Sequence, residues 1–208
     1  IHDTPMSMKD YSKNTRNQIR KGLNSFQIKI IDRSVVEKEG YDIYIKSLQS
    51  KKMLYKLKSK KNFLNELLGE WEFWGIYHES VLIGYSQNKV ISDFCDYSTI
   101  KIDPYYRRSY PSYALFFLMN QYYLDEKKLA YVSDGARSLV HQSNIQDFLI
   151  KKFKFRKAFC HLHVVYSSRI KHLVAILYPF RSIFCKINLN LFQKIGAVLT
   201  QEEIIRKQ

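Results

Sequence analysis

From Asp93 to Tyr123 the chain reads in turn as a strand, a short loop carrying two adjacent arginines, and an apolar helix, and the rest must fit around it. The strand is predicted from the β-favouring run Cys95 to Ile102. Tyr97, Thr99 and Lys101 alternate onto one face of it, and Ser98, Ile100 and Ile102 onto the other. Asp103 and Pro104 close it. Pro111 falls where a helix accepts proline, in its first turn, since an N–H there has no intrahelical partner. The helix that follows is apolar nearly all round, through Ala114, Leu115, Phe117, Leu118 and Tyr122. Such a helix belongs against a sheet, largely buried. The loop Arg107-Arg108-Ser109-Tyr110-Pro111-Ser112 therefore lies where a strand hands over to a helix N-terminus, a place that attracts anions through free N–H groups and the helix dipole.

With 208 residues and 46% hydrophobic content, the chain can bury a substantial core and is not disordered. One domain with a C-terminal appendage is the simplest division, expected as residues 1–168 and 169–208. No apolar run reaches the length of about 18 residues that a membrane span needs. Ile1-His2-Asp3 does not read as a signal peptide, and without an initiator Met the chain is expected to be trimmed or a fragment. Cys95, Cys160 and Cys185 are few, scattered and in no CxxC pair, so a reduced, cytoplasmic setting is expected, with each thiol a small buried apolar group.

The formal net charge is +15, unevenly spread. Six lysines crowd residues 51–61, five cations lie in residues 9–21 and five in 151–157, whereas residues 66–103 carry seven acids against two lysines. Such a surface favours phosphate-bearing partners: a nucleotide co-substrate, RNA, or an anionic membrane face. The alternative for the 51–61 run is a solvated lysine face that keeps the protein soluble.

Along the chain, Ser12 to Asn24 is predicted as a basic helix and Phe26 to Ile31 as a strand. Val35 to Gln49 and Asn62 to Leu68 are predicted as helices. Trp71 to Tyr77 and Val81 to Val90 are predicted as antiparallel strands joined across His78-Glu79-Ser80, which with the strand after Asp93 makes a three-stranded meander. Lys128 to Asp134 is the next strand. Ser143 and Gln146 match a capping box that opens a helix over Asn144 to Phe153, with Ile145, Phe148, Leu149 and Phe153 on its core face. Phe155 to Tyr166 is predicted as one bent strand or two shorter ones. Val174 to Phe184 and Leu189 to Arg206 are predicted helical, interrupted by Pro179 and Gly196.

This order of elements resembles the GNAT superfamily of N-acyltransferases over roughly Trp71 to Tyr166. The resemblance implies a mixed, mainly antiparallel α/β (α+β) sheet flanked by helices, with a helical C-terminal tail added here. It also implies acyl transfer from acetyl-CoA or another acyl-CoA, as co-substrate, to a small-molecule amine acceptor such as a sugar nucleotide or cell-envelope precursor. In that family a strand ends in a loop of pattern Gln/Arg-x-x-Gly-x-Gly/Ala whose amides grip the CoA pyrophosphate. Aligned on it, Ile102, Arg107, Arg108, Ser109, Tyr110 and Ser112 become the expected cofactor-binding residues. Arg107 fits the pattern, while Tyr110 and Ser112 replace both glycines and Pro111 removes one amide donor. Asn144 matches an Asn that often precedes the family's next helix. The family's phenolic acid has no match, because Ile150 and Lys151 stand in that region; Tyr131 and Tyr166 are the available phenols.

A shorter resemblance joins Thr15-Arg16-Asn17-Gln18-Ile19-Arg20-Lys21 to the basic entry segment of Fem-type aminoacyltransferases. These have a GNAT-like fold but draw the acyl group from aminoacyl-tRNA, which would make tRNA a partner and suits the glycine-poor loop. A catalytically silent GNAT-like module that binds RNA or anionic lipid is the third reading.

An amine attacking an ester or thioester needs a base for its proton and a donor for the oxyanion. The segment 133–141 is the densest in such groups and follows a strand end, where open α/β sheets place ligands. Asp134 is expected as base, or as a turn aspartate bonding its own loop. His141 is expected as a titrating catalytic group, or as an ordinary capping or surface residue. Arg137 and Tyr131 are expected to bind substrate. No metal site is expected: His161 and His163 share a strand face without a third ligand. No P-loop lysine pattern or nucleophile elbow supports kinase or hydrolase chemistry.

Overall fold

The computed structural model describes residues 1–49, 57–136, 144–159, 161–186 and 190–208. These fall into two compact units, residues 1–135 with 147–156, and residues 136–146 with 157–208.

The first unit is built on a five-stranded sheet in sequential order, β1 (Gln27–Ile31), β2 (Glu72–His78), β3 (Val81–Ile91), β4 (Phe94–Ile102) and β5 (Tyr131–Ser133). The first four strands are antiparallel and β5 runs parallel to β4. The meander expected from the sequence is therefore present. Its tight turns are made by Glu79 and Ser92, both at positive φ, which suits the twist of two-residue hairpins. A bulge between Gln87 and Lys89 adds twist to the β3–β4 ladder. The N-terminal residues extend the far edge, where the His2 and Val132 backbones exchange both hydrogen bonds at 2.8 Å.

One face of the sheet carries α2 (Arg33–Gln49) and α3 (Lys60–Glu66), which bury Val36, Ile43, Tyr44 and Phe63 against Phe73, Leu82 and Tyr85. The other carries α1 (Lys13–Ser25) and α4 (Pro111–Asn120). Ala114, Leu115, Phe116, Phe117, Met119 and Asn120 of α4 are all buried, as its all-round apolar sequence required. The end of α5 (Ile145–Phe153) meets it through Phe148 and Phe153, whose rings pack on Tyr113 and Phe116. Beyond Asn120 the helix widens into a π-helical turn, Gln121–Glu126, that buries Tyr123. The Tyr123 hydroxyl accepts hydrogen bonds from Trp74 Nε1 and Asn88 Nδ2, each 3.2 Å, giving the core a polar centre.

Three expectations are corrected. Phe155 to Tyr166 forms no strand among the described residues: Phe155 is buried, but Phe159 and Val165 are almost fully exposed and find no ladder partner. Part of the edge of β5 is already taken by His2, and β5 is only three residues long. Gly196 does not interrupt the last helix, α8 (Asn190–Arg206), which passes through it; the cost of one interior glycine, about 1 kcal/mol, is too small to break it. The loop after β4 is a 3₁₀ helix, Pro104–Ser109, rather than irregular chain. The second unit holds α6 (Ser168–Leu177), a 3₁₀ turn at Tyr178–Phe180 containing Pro179, α7 (Arg181–Lys186) and α8. Ser143 of the expected capping box, Cys160, and Lys51, Lys52 and Lys56 of the 51–61 lysine run lie outside the described residues.

Candidate active site

The arginine loop is held from three sides. At its start, the Asp103 carboxylate accepts from the Tyr105 N–H at 3.0 Å and pairs with Lys46 of α2 at 3.2 Å. The Asp103 N–H donates to the Ile83 carbonyl of β3 at 2.8 Å. In its middle, the Tyr106 ring packs on Phe26 and His78, with ring centres 6.1 and 5.2 Å away. At its end, Tyr110 adopts the left-handed conformation, φ 65°, and Pro111 begins α4. Glycine adopts such a backbone without strain; here a tyrosine holds it.

Helix α1 completes the loop. A Cβ at Gly22 would stand only 2.6 Å from the Tyr110 carbonyl oxygen and 2.9 Å from Ala114 Cβ. Glycine therefore lets α1 lie directly on the loop, and Lys21 is brought to 6.0 Å from the centre of the Tyr110 ring. The basic helix and the arginine loop, read separately from the sequence, form one surface. Arg107, Arg108 and Ser109 are exposed, Tyr110 and Ser112 half-buried, and Ile102 is buried beneath them. Exposed guanidinium groups at the N-terminus of a ten-residue helix fit a diphosphate. Tyr110 and Pro111 reduce the share that backbone amides can take.

The second part of the site lies along β4. The β4–β5 ladder covers only Phe94↔Tyr131, Cys95↔Val132 and Asp96↔Ser133. Beyond Asp96, β4 runs on to Ile102 with β3 as its only described strand partner, an open length of about 20 Å at about 3.3 Å per residue. An extended ligand can occupy such an edge by main-chain hydrogen bonds.

Where the strands part, two carboxylates meet. Burial pushes the Asp134 carboxyl up to about 7, and the nearby negative charge of Asp96 pushes in the same direction. Asp96 Oδ2 accepts from the Ser98 hydroxyl at 2.7 Å, and the Ser133 hydroxyl accepts from the Gly135 N–H at 2.9 Å. Gly135, at φ 69°, turns the chain so closely that a Cβ there would stand 3.4 Å from Asp96 Oδ1. Tyr131 stacks on Phe94 with ring centres 4.8 Å apart and planes 4° from parallel, an aromatic surface beside this pair. Cys95, on the opposite face of β4, is buried and its thiol is pushed up to about 12 by that burial.

Asp134 and Tyr131 are thus placed together with a group that sequence reasoning missed, Asp96. Its signal was the parallel register of β4 and β5, which no local pattern carries. Arg137 and His141 lie outside the described residues. Asn144 is exposed and belongs to the second unit.

A sequential antiparallel sheet joined to a parallel fifth strand, with a helix between them entered through a short 3₁₀ loop, is the fold of the GNAT acyltransferases. Among solved structures, the chain is similar to a ribosomal-protein-alanine N-acetyltransferase from Brucella melitensis biovar Abortus 2308, at TM-score 0.50 and 12% identity over 68% of this chain and 99% of that one. It is similar also to a "possible acetyltransferase" from Clostridium difficile 630, at TM-score 0.51 and 11% identity over 68% and 97%. FemX matches at TM-score 0.53 and 8% identity over 70% of this chain, which spans about half of FemX, 54%. No family model matches the sequence, and no curated protein matches it.

Proposed function

We propose that this chain is an N-acyltransferase that moves an acyl group from an acyl-CoA thioester to an amine. The observation that carries the reading is the parting of β4 from β5, with the arginine loop at one end of the open edge and Asp134 at the other. In this reading Arg107 and Arg108, with Lys21 nearby, hold the diphosphate. The open edge of β4 aligns the arm that carries the acyl group. Tyr131 and Phe94 shape the acceptor side.

The amine arrives as an ammonium ion and cannot attack until it loses a proton. A carboxylate that titrates near 7 can take that proton at neutral pH, whereas an ordinary aspartate is too weak a base. Asp96 serves by keeping Asp134 basic and by holding positive charge beside it. CoA when bound supplies the activated thioester; the protein supplies orientation and the proton acceptor. The Brucella melitensis neighbour of the same fold, a ribosomal-protein-alanine N-acetyltransferase, supports this reading.

Titration calorimetry with acetyl-CoA at two salt concentrations tests it. Saturable binding that is lost in the Arg107→Ala/Arg108→Ala variant is expected. No binding at millimolar ligand would overturn the reading. The second reading keeps the acceptor chemistry and takes the acyl group from an aminoacyl-tRNA, with the Tyr110 side chain standing in the loop. Binding of charged tRNA without binding of acetyl-CoA would establish that instead.

A further inference from the structure

The second unit carries an apolar stripe that no described residue covers. Ile170, Leu173 and Ile176 of α6, Phe180 of the 3₁₀ turn and Ile183 of α7 recur at steps of three or four residues, and each is between 45% and 66% exposed. An adjoining side of the same helical track faces α8. There Val174 is buried, the Tyr178 ring lies between the Arg181 and Arg206 guanidinium groups at 4.7 and 3.9 Å, and Arg181 pairs with Glu203 at 3.4 Å. The stripe is therefore the outer face of a helical track whose inner face is already used. Five large apolar side chains in one row exceed the scattered exposure that a soluble surface needs.

The charge around the stripe states what it fits. From Lys157 to Gln201, within this unit, there is no Asp or Glu, while six Lys and Arg fall in the same stretch, Arg169 and Lys171 among them exposed on α6. Glu202 and Glu203, which end the run, are both engaged by Arg206, Lys207 and Arg181. A row of apolar groups whose exposed charged neighbours on α6 are the cations Arg169 and Lys171 matches the boundary of a bilayer with anionic headgroups, where side chains enter the acyl region and cations meet phosphate. No described helix is long and apolar enough to cross a membrane, so the contact lies in the interface plane.

We infer that the α6–α7 track docks on an anionic membrane surface, inserting Ile170, Leu173, Ile176, Phe180 and Ile183 between headgroups held by the surrounding lysines and arginines. This surface is independent of the acyl donor.

Sedimentation of the full chain with lipid vesicles tests it. The protein is expected to pellet with vesicles containing phosphatidylglycerol and to stay in solution with phosphatidylcholine alone. Leu173→Asp/Ile176→Asp/Ile183→Asp is expected to weaken that binding by about tenfold or more, since each substitution puts a charge where acyl chains would be. Arg169→Gln/Lys171→Gln is expected to weaken it by about fivefold per cation removed, and less at high salt. Melting curves establish that each variant is folded; should the aspartates unfold the track, Leu173→Ser/Ile176→Ser takes their place. Absence of binding to anionic vesicles at low salt overturns the inference. So does equal binding by the apolar variants, which would leave only diffuse charge attraction. A wild-type dimer in light scattering that the same variants dissociate would assign the stripe to a second copy of the chain and overturn it as well.

Discussion

The carbonyl oxygen of Tyr110 lies 2.6 Å from the point where a side chain on Gly22 would begin. Helix α1 and the arginine loop are thus fitted closely together at Gly22. Gly22→Ala must displace one of them. The expected cost is about 1–3 kcal/mol, the usual range for overpacking, measured by thermal or denaturant unfolding. Weaker acetyl-CoA binding is expected alongside it, since under the proposed function the displaced loop is the one that holds the diphosphate.

Tyr110→Gly tests the loop from the other side. A non-glycine residue at φ 65° carries strain of about 1–3 kcal/mol, which glycine removes. The lost packing of the Tyr110 ring on Tyr113, 5.7 Å between centres, offsets part of that gain. Little change in melting temperature is expected, with tighter acetyl-CoA binding by calorimetry because the amides become approachable. Unchanged or weaker binding would show that the Tyr110 side chain, rather than the backbone, serves the ligand.

Asp134→Asn should lower kcat by about 10²–10⁴-fold if Asp134 takes the amine proton. In the unmodified protein the rate is expected to rise with pH through about 7, as Asp134 ionises. Asp96→Asn removes a neighbouring negative charge and should move that rise to lower pH. A pH–rate profile of the three proteins checks both statements, and an Asp134→Asn enzyme with full turnover would remove it as base.

The same group sets a pH dependence of stability. The folded protein keeps the Asp134 proton up to about 7, while the unfolded chain releases it at the ordinary value of 3.8. Between those two values the unfolded state binds fewer protons, so stability falls as pH rises across that window and levels off above it. Asp134→Asn should lose this contribution and be more stable than the parent at pH 8, with little difference at pH 3.5. Melting temperatures at the two pH values decide it.

Tyr123→Phe leaves Trp74 Nε1 and Asn88 Nδ2 without their shared acceptor in the core. An orphaned buried donor costs about 1–3 kcal/mol, so this single oxygen should lower stability by that amount or more in denaturant unfolding.

Local patterns were legible where the physics is local. The alternation in β4, the all-round apolar character of α4 and the glycine-free turns of the meander each follow from neighbours in sequence, and each is found. Asp134 was legible as a carboxylate after a strand. Its partner Asp96 was not, because their meeting depends on the parallel register of two strands separated by a helix. The α1–loop contact at Gly22 was hidden for the same reason, since a glycine in a helix reads only as a weak point or a stop. Phe155 to Tyr166 shows the opposite failure: its alternation favours a strand, but a strand also needs an edge to pair with, and composition does not reveal one.

Cys95 stands one residue before Asp96, on the other face of the strand. Thiols are the natural recipients when acyl groups pass between thioesters, and an accessible thiolate here would compete with the amine and leave the protein acylated on itself. Sealed against the core and protonated up to about 12, Cys95 has neither the access nor the nucleophilic form. A protein with this arrangement should survive prolonged exposure to thioesters and to alkylating reagents at that position without modification, so under the proposed function β4 would meet the donor with a carboxylate on one side and an inert sulfur on the other.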